Sequence, residues 1–171
     1  LPGENKQRID VAESDAMTKV INDLLNDCPL LEADDSEILF STLGKDSGFG
    51  WFPISGVIIV DEKQFVTGRK LSTYNYPFYI IYRVGEPKSK QKMNIKEYLD
   101  DIGRWLEKQK IIVEGTEVEL KAYPKLSDDR EITAVARQTP AYLDNTNDNG
   151  VEDWAVLIAL NYKKEVKGER I

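Results

Sequence analysis

Between Tyr76 and Gln109 the chain reads YPFYIIYRVGEPKSKQKMNIKEYLDDIGRWLEKQ: an aromatic strand, a polar turn and an amphipathic helix in direct succession. No other stretch restricts the fold as much. Aromatic and β-branched residues suit a pleated, half-buried surface, so Ser72–Val84 reads as a long strand. Pro77 has no N–H to give to a ladder, which predicts a sheet edge or a bulge near it. After a polar loop over Gly85–Gln91, the residues Ile95, Tyr98, Leu99, Ile102, Trp105 and Leu106 recur at helical spacing. Asn94 and Glu97 form an N-x-x-E capping box at the start of that helix. Met93 is placed to staple onto Tyr98, and Asp100 to pair with Arg104 four residues on.

The first helix is equally periodic. Met17, Val20, Ile21, Leu24, Leu25 and Cys28 form one apolar stripe, with Ser14 or Asp15 as the cap and Pro29 as the stop. Cys28 on that stripe is a small core residue. Residues 1–16 are polar and without period, and Met17 opens the periodic sequence. They are expected to be a flexible lead, a remnant or an extended start, with residues 17–171 as a single α+β domain. Residues 37–43 make a short strand and Gly44–Gly50 a turn-rich loop. Trp51–Asp61 is an unbroken aromatic and β-branched run, the pattern of a strand covered on both faces or of an interface. Gln64–Thr67 is a weaker strand. Ile111–Val113, Thr116–Tyr123, the mixed Ile132–Leu143 and finally Val151–Glu165 follow as strands, the last after a hairpin signal at Asn149-Gly150. The order predicts an α+β fold: an antiparallel or mixed sheet with two main helices packed on one face.

Composition then limits the chemistry. The 171 residues include no histidine and one cysteine, and the net charge is −7. Without histidine there is no imidazole base and no Ser-His-Asp or Cys-His site. A single cysteine excludes an internal disulfide and a cysteine-rich metal site. The acidic balance disfavours duplex nucleic acid, whose affinity comes from Lys and Arg on phosphates. No apolar run approaches the ~20 residues of a membrane helix. A non-enzymatic protein without cofactor or metal is the expectation.

Four features invite sharper readings. The loop DNTNDNG has calcium-like oxygens, but counted from Asn145 its twelfth position is Val156, not a bidentate Glu. GKDSGFG lacks the Lys-Ser or Lys-Thr of a phosphate loop. The pairs Asp34-Asp35, Asp100-Asp101 and Asp128-Asp129 read as solvated charge, with Asp100 and Asp101 on the wet side of their helix. Tyr74, Tyr76, Tyr79 and Tyr82 suit strand packing better than base stacking, because few cations lie nearby. The glycine-rich loop instead presents Phe49, Trp51 and Phe52. Aromatic anchors of this kind build interfaces, so Phe49, Trp51, Phe52 and Tyr76, with the edge near Pro77, are the candidate interface residues.

The succession of a helix ending in NDCPLL, a strand ending at Leu43-Gly44, the YPFYIIYR strand, the MNIKEYLDDIGRWLEKQ helix and a closing strand resembles the small minor capsid or tail-terminator-like proteins of tailed phages and prophages of Gram-positive hosts. The resemblance spans roughly residues 17–165. It implies a tail-terminator-like fold and a structural virion protein that assembles in the bacterial cytoplasm and remains in the virion. Its partners would be copies of itself in a ring, commonly a hexamer, together with tail-tube and head-completion proteins. Neither a membrane nor a specific nucleic acid is implied. The alternative reading is an intracellular adaptor domain that binds peptides along a sheet edge.

Overall fold

Two 16-residue strands, β5 (Lys70–Gly85) and β10 (Val151–Val166), pair antiparallel along their whole length, with Lys70 opposite Val166 and Gly85 opposite Val151. The other elements are arranged around this ladder in a computed structural model that describes residues 8–127 and 129–168. In chain order the elements before β5 are β1 (Arg8–Ile9), α1 (Val11–Asn26), α2 (Pro29–Ala33), β2 (Leu39–Phe40), β3 (Gly48–Pro53) and β4 (Ile58–Gln64). After β5 come α3 (Ser89–Leu106), the hairpin β6 (Ile111–Val113) and β7 (Thr116–Val118), then β8 (Arg130–Arg137), β9 (Tyr142–Thr146) and β10.

The outer flank of β5 is shared by β3 and β4, and that of β10 by β9 and β8. With β1 beside β4 and β2 beside β3, the eight-stranded sheet is five strands across and more than one strand long on each side. Its pairings are antiparallel except the short β2–β3 contact, so the fold is α+β with a large antiparallel sheet.

Alternation along the ladder builds the core. Tyr74, Tyr76, Phe78 and Ile80 of β5 share a face with Val156, Ile158, Leu160 and Tyr162 of β10. Against them pack Met17, Ile21, Leu24 and Leu25 of α1 and Leu99, Ile102, Trp105 and Leu106 of α3. Both long helices thus lie on one side of the sheet. Cys28, fully buried at the corner between α1 and α2, has its thiol pushed up to about 12 by burial.

Several local expectations are corrected. The first helix begins at Val11, one and a half turns before Met17, and its cap is Asp10, whose side chain accepts the Glu13 N–H at 3.0 Å. Residues 8–16 of the expected lead are therefore strand and helix, while residues 1–7 lie outside the described residues. Pro29 opens α2 at its first position, where its missing N–H is not needed. The run Trp51–Asp61 is split into β3 and β4 by a turn at Gly56 (φ +90°). The long helix starts at Ser89, not after Asn94: the Lys88 N–H donates to Gln91 Oε1 at 2.8 Å, so the polar loop contributes a first turn. Met93 is exposed and staples nothing to the core.

Pro77 marks no edge. It lies inside the central strand, opposite Ala159, with its carbonyl accepting the Ile54 N–H at 3.2 Å. The backbone N and O of a strand residue point to the same side. The proline ring therefore faces the gap where β3 has ended at Pro53 and β4 has not begun at Ile58, and no ladder bond is lost there.

Trp51 ties these layers together. It is fully buried, packs edge-on to Phe40 and Phe78, and donates its indole N–H to Asn22 Oδ1 at 3.1 Å. Trp51→Ala is expected to cost about 3–5 kcal/mol, measurable as a shift of the urea unfolding midpoint at unchanged slope.

Candidate functional site

Chemistry would begin with buried charge, and among the described residues four carboxylates are buried. Glu152 is held by Lys92 at 3.0 Å and the Trp154 indole N–H at 3.1 Å, and Asp153 is paired with Arg83. Glu13 and Asp100 are the two most enclosed. Glu13, on the first turn of α1, is 4 % exposed. It receives a two-pronged bond from Arg130 Nε and Nη2, both at 2.8 Å, a hydrogen bond from Tyr162 Oη at 2.8 Å, and Lys164 Nζ at 3.2 Å. The Arg130 bond, against the opposing effect of burial and with help from Tyr162 and Lys164, lowers its carboxyl from 4.5 to about 2. All four donor atoms, from three residues, aim at the same two oxygens, so the cluster fastens α1 to the β8–β10 end of the sheet.

Asp100 is the second. It was expected on the wet side of its helix, yet it is 1 % exposed. The segment after β8 folds over it: the Ala141 N–H donates to Oδ1 at 2.8 Å, Arg137 Nη1 reaches Oδ1 at 3.2 Å, and Lys96 Nζ holds Oδ2 at 2.6 Å. Burial pushes this carboxyl up, but these three donors outweigh it and hold it below the usual carboxylate range. Arg137 also binds Glu107 at 2.9 Å, and its side chain lies across Gly103, where a Cβ would meet it at 2.3 Å. Arg104 pairs with Asp101 at 2.6 Å, in place of the expected Asp100.

The remaining chemical candidates resolve into local structure. Asn147 Oδ1 accepts the N–H groups of Asn149 and Val151, both at 2.9 Å, which makes DNTNDNG the β9–β10 hairpin turn. The GKDSGFG loop runs straight into β3. Among the described residues no group of three or more metal-ligating side chains is assembled, and no helix is long and apolar enough to cross a membrane. An open cleft of about 470 Å³ lies beside Tyr123, Leu126 and Ile132, but Lys108 covers the Tyr123 ring at 4.3 Å and Arg130 is bound to Glu13.

The expected interface residues fare unequally. Phe49, Trp51 and Tyr76 are core residues, and Tyr76 hydrogen-bonds Thr18 at 2.8 Å. A side chain held in the core cannot also anchor a partner. Phe52 alone projects the other way. Opposed residues of antiparallel strands point to the same face, so Phe52 joins Tyr79 and Leu157 in one row across the sheet. Ile81, Ala155 and Tyr142 form a second row, and Pro77 and Ala159 a third. Phe52, Tyr79, Ile81, Tyr142 and Leu157 are each half-exposed, and no described helix covers this side. The patch is bounded by the Arg83–Asp153 ion pair (2.7 and 2.9 Å) and, in the other direction, by Asn75 Nδ2 bonded to Asn161 Oδ1 at 2.6 Å. An apolar surface with satisfied polar ends is the composition of a docking face.

Sequence reasoning missed Tyr79, Ile81, Tyr142 and Leu157. Their signal was present: YPFYIIY and AVLIAL are apolar at odd and even positions alike, which a sheet wetted on one side does not need.

Glu13 supplies a pH test. Its folded-state pKa is depressed, so its contribution is complete above 4.5 and lost as pH falls toward about 2. Glu13→Gln is expected to cost about 3 kcal/mol at neutral pH by leaving the half-buried Arg130 and Lys164 without their counter-charge. It should also flatten the loss of stability across that acid window, as read by chemical denaturation at a series of pH values.

A scan against models of known protein families finds no match to this chain, and a search of curated proteins finds no relative.

Proposed function

We propose that this protein is a structural component of a tailed phage or prophage virion, acting in tail completion and head–tail joining as a ring-forming terminator. The observation that carries the assembly role is the uncovered apolar sheet face centred on Phe52, Tyr79 and Leu157. The place in a virion rests on the resemblance of residues 17–165 to minor capsid and tail-terminator-like proteins.

Shape and surface are the means of such a protein. A ring places two different patches of each subunit in contact, and rotation closes the series. The rigid 16-residue ladder, held by α1 and α3 on one side, presents its other side as a preformed surface. Little ordering is then required on association. Glu13 and Asp100 agree with this role, because Arg130, Tyr162 and Lys164 tie Glu13 of α1 to the sheet, and Arg137 and the Ala141 N–H tie Asp100 of α3 to β8 and the segment after it. A peptide-binding adaptor would instead use a free strand edge. At β8 part of that edge is occupied, since the Val135 N–H donates to Tyr123 Oη at 3.2 Å.

Light scattering coupled to size exclusion is the test. The protein is expected to assemble into a closed ring, with a hexamer as the leading size, visible as annuli by negative-stain microscopy. Leu157→Glu is expected to leave the helical circular dichroism intact and shift the population to monomer, because a charge in the middle of a closing apolar contact costs several kcal/mol. Assembly unchanged by this substitution would remove the sheet face from the interface.

A further inference from the structure

The two ends of the β5–β10 ladder differ in charge. At one end, residues 61–70 and 163–167 carry six cations against three acids. Arg69, Lys70, Lys163 and Lys164 pair with Glu165, Glu62, Glu131 and Glu13, whereas Lys63 near the end of β4 forms no ion pair among the described residues. At the other, residues 44–48, 83–86 and 144–153 carry six acids against two cations; Asp153 is paired with Arg83 and Glu152 with Lys92 of α3, while Asp46, Glu86, Asp144 and Asp148 are exposed. The ladder register sets these ends apart by the length of the strands, roughly 50 Å at ~3.3 Å per residue.

The basic end also has an apolar tip. The turn between β4 and β5 is closed by the Phe65 N–H to Arg69 O at 2.8 Å and the Gly68 N–H to Phe65 O at 2.9 Å. Arg69 lies over the Phe65 ring at 4.7 Å and pairs with Glu165 at 2.6 Å, which stiffens the turn. Val66 at its apex is fully exposed; Lys63, which forms no ion pair among the described residues, precedes it, and Lys70, paired with Glu62 at 3.1 Å, follows it. Among the described residues nothing covers that valine. At the acidic end, Asp46, Asp144 and Asp148 are exposed, and the open sheet face ends beside them with half-exposed Ile81 and Tyr142.

We infer that the β4–β5 turn of one copy docks on the acidic end of the open sheet face of the next copy. Val66 then sits against Ile81 and Tyr142, while Lys63 meets the carboxylates of Asp46, Asp144 and Asp148. The contact is head to tail, since the two patches differ and lie at opposite ends of one subunit. It deepens the ring reading and rests on it, by naming the second patch that a heterologous contact requires. Opposite charge also orients the encounter and excludes tip-to-tip and end-to-end pairings, in which like charges would meet.

Charge reversal tests it at exposed positions. One variant carries Lys63→Glu with Val66→Asp, a second carries Asp144→Lys with Asp148→Lys, and a third carries all four substitutions. Folding of each is checked by its thermal unfolding midpoint, and assembly is followed by light scattering at low and high salt. The wild-type chain is expected to assemble with half-association rising in concentration as salt increases. The first and second variants should each need at least about tenfold more protein, a change of one decade in Kd. Mixing those two variants, or joining the changes in the third, should recover a part of the charge match that neither has alone. If the wild-type assembles and the first two variants assemble equally well, this contact is overturned and the ring reading stands. If the wild-type remains monomeric at every concentration and salt, the ring reading fails and this contact with it.

Discussion

The β5–β10 ladder is the constraint on which the rest of this molecule depends. Two strands of 16 residues form an unusually long pair, given that strands in globular proteins are usually 3–10 residues. Their register decides which side chains meet. Tyr74 stacks on Tyr162 on the helix side, with ring centroids 4.9 Å apart, and Asn75 bonds Asn161 on the other. A slip by one residue would exchange these faces and set asparagines in the core. Outer strands of only five to eight residues can then share the two flanks, because the central pair supplies the continuity that they lack.

The buried ions belong to the same logic. Each closes a junction that apolar packing leaves open. Glu13 fastens the start of α1 to the β8–β10 end, and Asp100 fastens the middle of α3 to the segment after β8. Such groups contribute specificity of docking more than net stability, since desolvation offsets most of the Coulomb gain. Asp100 illustrates how closely the sites are fitted. It needs the Ala141 N–H, and Arg137 can reach it only because Gly103 has no side chain in the way.

How much of this was legible in the sequence follows from what period and propensity measure. Both long helices and the two central strands are visible because their stripes are dense and regular. The start of α3 is hidden, because the Lys88–Gln91 capping contact sits inside a polar stretch that reads as loop. Asp100 falls on the polar side of a helical projection, and a projection carries no knowledge of a distant loop that folds over it. Glu13 was lost within an apparently aperiodic lead, because the first turn of α1 leaves Val11 exposed and turns Glu13 inward to meet Arg130, Tyr162 and Lys164. Pro77 pointed to an edge on a sound local rule, but the rule requires only that the proline ring face no partner strand. A gap between two successive flanking strands satisfies it in mid-sheet. The open face was the subtlest of these. Its residues alternate with the core residues in the same strands, so Trp51 and Phe52 look alike in sequence while pointing to opposite sides.

Cys28 gives this architecture a means of self-report. The chain's one thiol is sealed at the corner where α1 meets α2, and burial keeps it protonated. A thiol reagent can reach it only when that corner opens. The rate at which the folded protein is labelled therefore measures the opening of the helical layer, without any substitution and independently of what happens on the far side of the sheet. Docking that leaves the helices alone will leave that rate alone, whereas assembly that tightens the whole subunit will slow it.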